Sequence, residues 1–222
     1  MLPIASYSFL RDNENCPKKA YHLYVARDLP RENPTPEQTY GNDVHKSFER
    51  RINEGAPLIE PLVPLSGAVE RILRCKTNGC AVRAEAMLAV NADLKPAPWS
   101  GGNTWLRGKL DVMIINQADA VIFDWKTGKV REDAFELEVQ ALLLKCHYPA
   151  VEKISGNYVW LKTCKLGATH DLSDTDRTAA SVRAQMAEAV RRGLQAWPAR
   201  QNPLCPYCQI PKSKCEFSSR EA

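Results

Sequence analysis

No apolar run in this 222-residue chain approaches the length of a membrane-spanning helix, so the sequence does not read as an integral helical membrane protein. Its first residues, Met1-Leu2-Pro3-Ile4-Ala5-Ser6, lack a charged region followed by a long apolar one. A secretory leader is therefore not expected, and the expectation is a cytoplasmic location, whether bacterial, archaeal or in a phage-infected host. There is no internal repeat and no low-complexity segment. A glycine-rich phosphate loop of the Walker type is also missing, which excludes a nucleotide-driven motor within the chain. Strong net charge is missing as well: at +4 and a pI near 8.6 the chain permits a nucleic-acid partner without requiring one.

What the chain does have is enough apolar content, 44%, to bury a core as one domain or as one domain with a small appendage. Its eight cysteines are unevenly spaced, and three of them crowd into the last 18 residues. In a cytosolic chain that pattern points to metal rather than to disulfides.

The most informative stretch is Gly108 to Ile115, a short polar turn, and Val121 to Gly128. Both runs are rich in β-branched residues and read as a β-hairpin. With the turn centred between Gln117 and Ala118, paired residue numbers sum to 235 and Asp111 faces Asp124. Lys126 then shares their face. Opposed carboxylates repel unless a cation lies between them, and a divalent metal is the natural candidate. A surface ion-pair cluster is the plainer alternative, but these charges interrupt otherwise apolar strands, where solvated charge is costly. Two carboxylates and a lysine suit phosphodiester hydrolysis: metal-held water attacks while the lysine stabilises charge.

Elsewhere, periodicity predicts helical pieces over Tyr7 to Val25, with Cys16-Pro17 at a junction, and a helix from Pro36 to Asn53 stopped by Gly55. His45 sits beside that helix's apolar stripe of Val44, Phe48 and Ile52; alone, it reads as a core histidine. Gly41, one turn earlier, allows close approach of backbone or ligand. Pro57 to Pro64 reads as loop and Val69 to Leu73 as helix. Ala81 to Val90 reads as a strand with Arg83, Glu85 and Met87 on its exposed face. A helix is predicted over Asp133 to His147, carrying Gln140, and a strand over Asn157 to Thr163. A capping box of Ser173 and Asp176 opens a helix reaching Ala196. Cys146 and Cys164 read as buried thiols. Because the hairpin is apolar on both faces, the fold expected is α/β: a mixed central sheet flanked by helices on both faces, with a cysteine-rich C-terminal tail. The domain expected is 1–197, with 198–222 packing back on the N-terminal segment.

The order Gly41-x-x-x-His45, Asp111, Asp124-Trp125-Lys126, then Gln140 resembles the PD-(D/E)XK nuclease superfamily, with its restriction-endonuclease-like core, and within it the RecB-like exonuclease branch. The resemblance covers about residues 6 to 217. It implies that Asp111, Asp124 and the Trp125 carbonyl ligate Mg2+ or Mn2+, that Lys126 is catalytic, that His45 coordinates or approaches metal, and that Gln140 lies near the DNA or the catalytic centre. Glu85 is a further ligand by analogy with an upstream glutamate of phage exonucleases. The branch places tyrosine four residues after the glutamine, whereas this chain has Leu144. Cys16 followed by Cys205, Cys208 and Cys215 resembles the one-plus-three pattern of the branch's 4Fe-4S members, such as AddB-type and CRISPR-associated adaptation nucleases. Structural zinc has the same spacing, and Cys75 with Cys80 are alternatives to Cys16.

The function implied is a metal-dependent DNA exonuclease in recombination, repair or phage DNA processing. The alternatives are a CRISPR adaptation nuclease that trims DNA before integration, and a non-hydrolytic nucleic-acid-binding module. Arg107, Lys109, Lys129 and Arg131 are candidates to follow the DNA backbone. The implied partners are DNA, recombination, replication or CRISPR adaptation proteins, and copies of the chain in a homo-oligomer.

Overall fold

The computed structural model describes residues 3–30, 33–128, 133–163, 165–193 and 196–220, except for the side chain of Ala68. It divides into two compact units, one formed by 33–178 and the other by the N-terminal 32 residues with 179–222.

The first unit is built on a six-stranded mixed sheet. Strands β1 (Ala81–Val90), β2 (Leu106–Asn116) and β3 (Asp119–Lys126) form an antiparallel meander, and β4 (Lys153–Trp160) joins β3 in parallel. Two short strands, β5 (Lys165–Leu166) and β6 (His170–Asp171), pair with β4. The β2–β3 register runs from Val112 opposite Phe123 to Asn116 opposite Asp119, so pairs sum to 235 as the hairpin pattern predicts. Gln117 takes positive φ in the two-residue turn.

Helices flank this sheet. Helix α3 (Pro36–Glu54) begins with a Thr35–Gln38 capping box and stops at Gly55 in the left-handed region. Its Val44, Phe48 and Ile52 join Val69 and Ile72 of α4 (Ser66–Thr77) against Val82, Ala84, Val112, Ile114 and Trp125. Each such large side chain contributes about 1.5–3 kcal/mol on burial. Helix α5 (Phe135–His147) is the crossover between the parallel strands β3 and β4. It packs so closely that a Cβ on Gly108 would stand 2.8 Å from Leu143 Cδ1.

Several boundaries differ from the sequence pattern. The loop predicted over Pro57 to Pro64 contains a 3-10 turn, Glu60–Leu65. Strand β4 starts at Lys153, not Asn157, because the parallel ladder begins at Asp119–Lys153. The poor strand former Gly156 is accommodated under Leu172, and Asn157 donates to Thr169 Oγ1 at 2.8 Å. Helix α5 starts at Phe135 because the Asp133 side chain accepts the Phe135 N–H from outside the helix. Helix α6 (Thr175–Arg192) is capped by Asp174, which accepts from Arg177 N at 3.1 Å, whereas Ser173 Oγ is engaged by Ile154 N of β4. It ends at Gly193, φ +57°, short of the predicted Ala196. Cys146 is half-buried rather than buried; Cys164, Lys129 and Arg131 lie outside the described residues.

The second unit contains α1 (Tyr7–Asn15), α2 (Pro17–Ala20), a π-helical turn (Tyr21–Ala26), most of α6, and the tail. Pro17 opens α2 directly after Cys16. The tail lies along the N-terminal segment: Lys18 N donates to Pro198 O at 3.1 Å, and Lys214 meets Asp28 at 2.8 Å. Among the described residues, no helix is long and apolar enough to cross a membrane.

Candidate active site and cysteine cavity

Three carboxylates stand in line across neighbouring strands of the first unit. The β1–β2 register, whose pairs sum to 196, places Glu85 opposite Asp111, and extending the β2–β3 register places Asp111 opposite Asp124. At this level the regular ladder gives way. Asp111 Oδ2 accepts the Trp125 backbone N–H at 2.8 Å, and Glu85 adopts φ +54°, a left-handed conformation unusual for a strand residue. That backbone turn buries a glutamate that strand alternation assigned to the exposed face: its side chain is only 4% exposed. The costly conformation at this point is the kind of strain that functional sites retain.

Helix α3 delivers His45 onto the same cluster. Its Nδ1 lies 3.0 Å from Glu85 Oε1 and 3.2 Å from Asp111 Oδ1, so this partly buried histidine meets two of the expected site carboxylates. Burial lowers its pKa, but Asp111 and Glu85 outweigh burial and push it up to about 10. Burial likewise opposes the charge on Glu85, yet His45 and Lys109 hold the carboxyl below its usual range. Gly41 lets α3 approach the strand end closely: a Cβ there would stand 3.3 Å from Thr127 Oγ1.

The other half of the site is arranged by α5. Gln140 Nε2 donates to Asp124 Oδ1 at 3.0 Å. Lys126 Nζ lies 2.6 Å from Asp124 Oδ2 and 2.7 Å from Glu136 Oε2. Burial, then Asp111 and Glu136, push the Asp124 carboxyl up to about 7 despite the opposing Lys126. The structure thus brings together His45, Glu85, Asp111, Asp124, Lys126 and Gln140. Leu144, at the position where a tyrosine was the family pattern, is fully buried. Sequence reasoning missed Glu136, although its place one helical turn before Gln140 was a usable signal. Lys109, a candidate to follow the DNA backbone, forms an ion pair with Glu85.

The site fits a divalent cation. Among the described residues, His45, Glu85 and Asp111 are the group of three or more potential ligands whose atoms lie within 4.8 Å of one another. Glu85 Oε2 and Asp124 Oδ2 are buried and meet Lys109 and Lys126 as ion pairs, and each carboxylate oxygen has a further lone pair to offer a cation. Hard carboxylate oxygens are the donors that Mg2+ and Mn2+ prefer.

In the second unit, Cys16, Cys205, Cys208 and Cys215 line one cavity of about 680 Å3. Arg200 N donates to Cys16 Sγ at 3.5 Å and Asn202 N to Cys205 Sγ at 3.3 Å. Burial raises the Cys208 thiol pKa, and the neighbouring Cys16 and Cys215 add to that rise. Cys75 and Cys80 belong to the first unit, packed partly buried against the α3–α4 apolar cluster.

The model of the PD-(D/E)XK nuclease superfamily matches residues 4–215. Among solved structures, a Eubacterium rectale protein described as a candidate exonuclease is 12% identical, with a TM-score of 0.54, over 93% of this chain and 87% of that one. The protein SSO0001 is 15% identical, with a TM-score of 0.46, over 96% of this chain and 87% of that one. No curated protein matches the chain.

Proposed function

The chain belongs to the PD-(D/E)XK nuclease superfamily, and from that premise we propose that it is a Mg2+- or Mn2+-dependent DNA exonuclease of the RecB-like branch, acting in recombination, repair or phage DNA processing. The observation that carries this reading is the row Glu85, Asp111 and Asp124, flanked by His45 on one side and Lys126 on the other. A binding module that only grips phosphate has no use for three buried carboxylates, which repel its ligand.

In this reading Asp111, Asp124 and the Trp125 carbonyl hold the cation, with Glu85 and His45 completing its surroundings. A divalent ion there supplies Lewis-acid activation of water and neutralises charge on the phosphodiester. Asp111 fixes the end of β3 through the Trp125 N–H, so the ligand set is oriented before substrate arrives. Gln140 restrains Asp124 through Oδ1 and leaves Oδ2 directed at the site. Lys126 provides the positive charge that meets the negative charge developing on the phosphate oxygens.

The test is cleavage of end-labelled single- and double-stranded DNA with magnesium or manganese. Wild-type protein should degrade from ends, chelator should stop it, and Asp124→Ala should be inactive while folded. Comparable activity in Asp124→Ala would sink the assignment.

For the second unit, the reading is a 4Fe-4S cluster held by Cys16, Cys205, Cys208 and Cys215. The shared cavity and the backbone N–H groups aimed at two sulfurs support it. Structural zinc on the same four thiols is the alternative. Anaerobically purified protein should be brown and carry iron and sulfide; colourless protein with stoichiometric zinc would reverse the choice.

A further inference from the structure

Helix α5 reaches the site with two side chains one turn apart, and only Gln140 has a part in the reading above. The other, Glu136, sits in the first turn of the helix, where its backbone is fixed from two directions. Phe135 N donates to Asp133 Oδ1 at 3.0 Å, and Tyr158 Oη of β4 donates to Asp133 O at 2.7 Å. The Glu136 carboxylate is thereby placed 2.7 Å from Lys126 Nζ, on which Asp124 closes to 2.6 Å; the Tyr158 ring centroid lies 5.3 Å away.

A lysine ammonium is a point charge on a flexible stem, and nothing in its own chain fixes where it rests. With Asp124 as its only partner it would be free to swing about one oxygen. A second carboxylate gives it a defined station between the two. We propose that Glu136 is a positioning residue for Lys126, holding the ammonium between the two carboxylates so that its charge stays directed at the scissile phosphate. This rests on the nuclease reading. The magnitudes favour a functional over a stabilising role. Lys126 and Glu136 side chains are 29% and 25% exposed, and ion pairs with such access to solvent contribute about 1 kcal/mol or less.

The experiment is a double-mutant cycle with Glu136→Gln, which keeps the shape and removes the charge, and Lys126→Met. In single-turnover cleavage, Glu136→Gln should lower the rate about 10- to 100-fold, with KM changed less than about threefold, since an interaction realised only in the transition state acts on kcat. In the Lys126→Met background the same substitution should cost nothing further. The second readout is the Tm of chelator-treated protein: Glu136→Gln should lower it by at most about 2–4 °C alone and leave it unchanged or raised with Lys126→Met. An unchanged rate in Glu136→Gln, or an equal loss in both backgrounds, overturns the proposal. If the wild type cleaves no DNA, the nuclease reading fails; the Tm cycle still decides whether Glu136 holds Lys126, and absence of coupling there overturns the hold itself.

Discussion

Asp111 holds the Trp125 backbone N–H on Oδ2 at 2.8 Å while its Oδ1 faces His45 Nδ1 at 3.2 Å. One carboxylate thus serves the end of a strand and, in the proposed reading, a cation at once, and the two roles can be separated. Asp111→Asn keeps an oxygen acceptor for Trp125 and should fold with near-native stability yet lose metal-dependent cleavage. Asp111→Ala leaves a buried N–H without a partner and should lose about 1–3 kcal/mol in addition. Denaturant unfolding alongside the cleavage assay distinguishes the two variants.

Asp124 carries a sign that can be checked against pH. Its folded pKa, about 7, lies above the ordinary 3.8, so the folded metal-free chain retains a proton that the unfolded chain releases. The stability this provides is complete below pH 3.8 and is lost as pH rises to about 7. Asp124→Asn should therefore match wild type near pH 4 and exceed it at pH 8, by on the order of 2–4 kcal/mol in chelator. Added magnesium should raise the wild-type Tm and have little effect on this variant. A variant less stable than wild type at pH 8 would contradict the burial argument.

Glu85 separates side chain from backbone. At φ +54° any residue with a Cβ is disfavoured relative to glycine. Both Glu85→Gly and Glu85→Ala should lose most metal-dependent activity, but Glu85→Gly should be the more stable of the pair by about 1 kcal/mol. Equal stabilities would mean that the conformation relaxes at no cost when the carboxylate is gone.

Cys16 tests the second unit. Cys16→Ser should lower iron per chain and bleach visible absorbance under anaerobic handling, while Cys75→Ser should leave both unchanged, because Cys75 packs against the apolar cluster of the other unit. The comparison is made by metal analysis of the two purified variants.

The hairpin was legible because its register follows from turn chemistry and strand alternation, and the 235 pairing appears in the structure. Helix α3 was legible for a similar reason, since its Thr35–Gln38 cap and terminal Gly55 are local signals. Glu85 was not legible as a buried residue, because its burial depends on one backbone angle that breaks the alternation. The start of β4 was hidden behind Gly156 and Asn157, which pair only because β3 provides a full-length partner. Ser173 resembled a cap but is bonded to Ile154, a strand residue 19 positions away that no local pattern reveals. Glu136 was missed for a different reason: a glutamate in a first turn is ordinarily explained by the helix dipole, and its contact with Lys126 is tertiary.

Helix α5 meets β3 in a fixed order, Glu136 on Lys126 and Gln140 on Asp124. Four helical residues rise about 6 Å and two strand residues about 6.6 Å, so the two elements act as matched rulers running in opposite directions. A single residue inserted between 136 and 140 would rotate one contact by about 100° relative to the other and let go of either the lysine or the aspartate. The constraint on this crossover is therefore one of phase, and tolerance to insertion should fall sharply at Glu136.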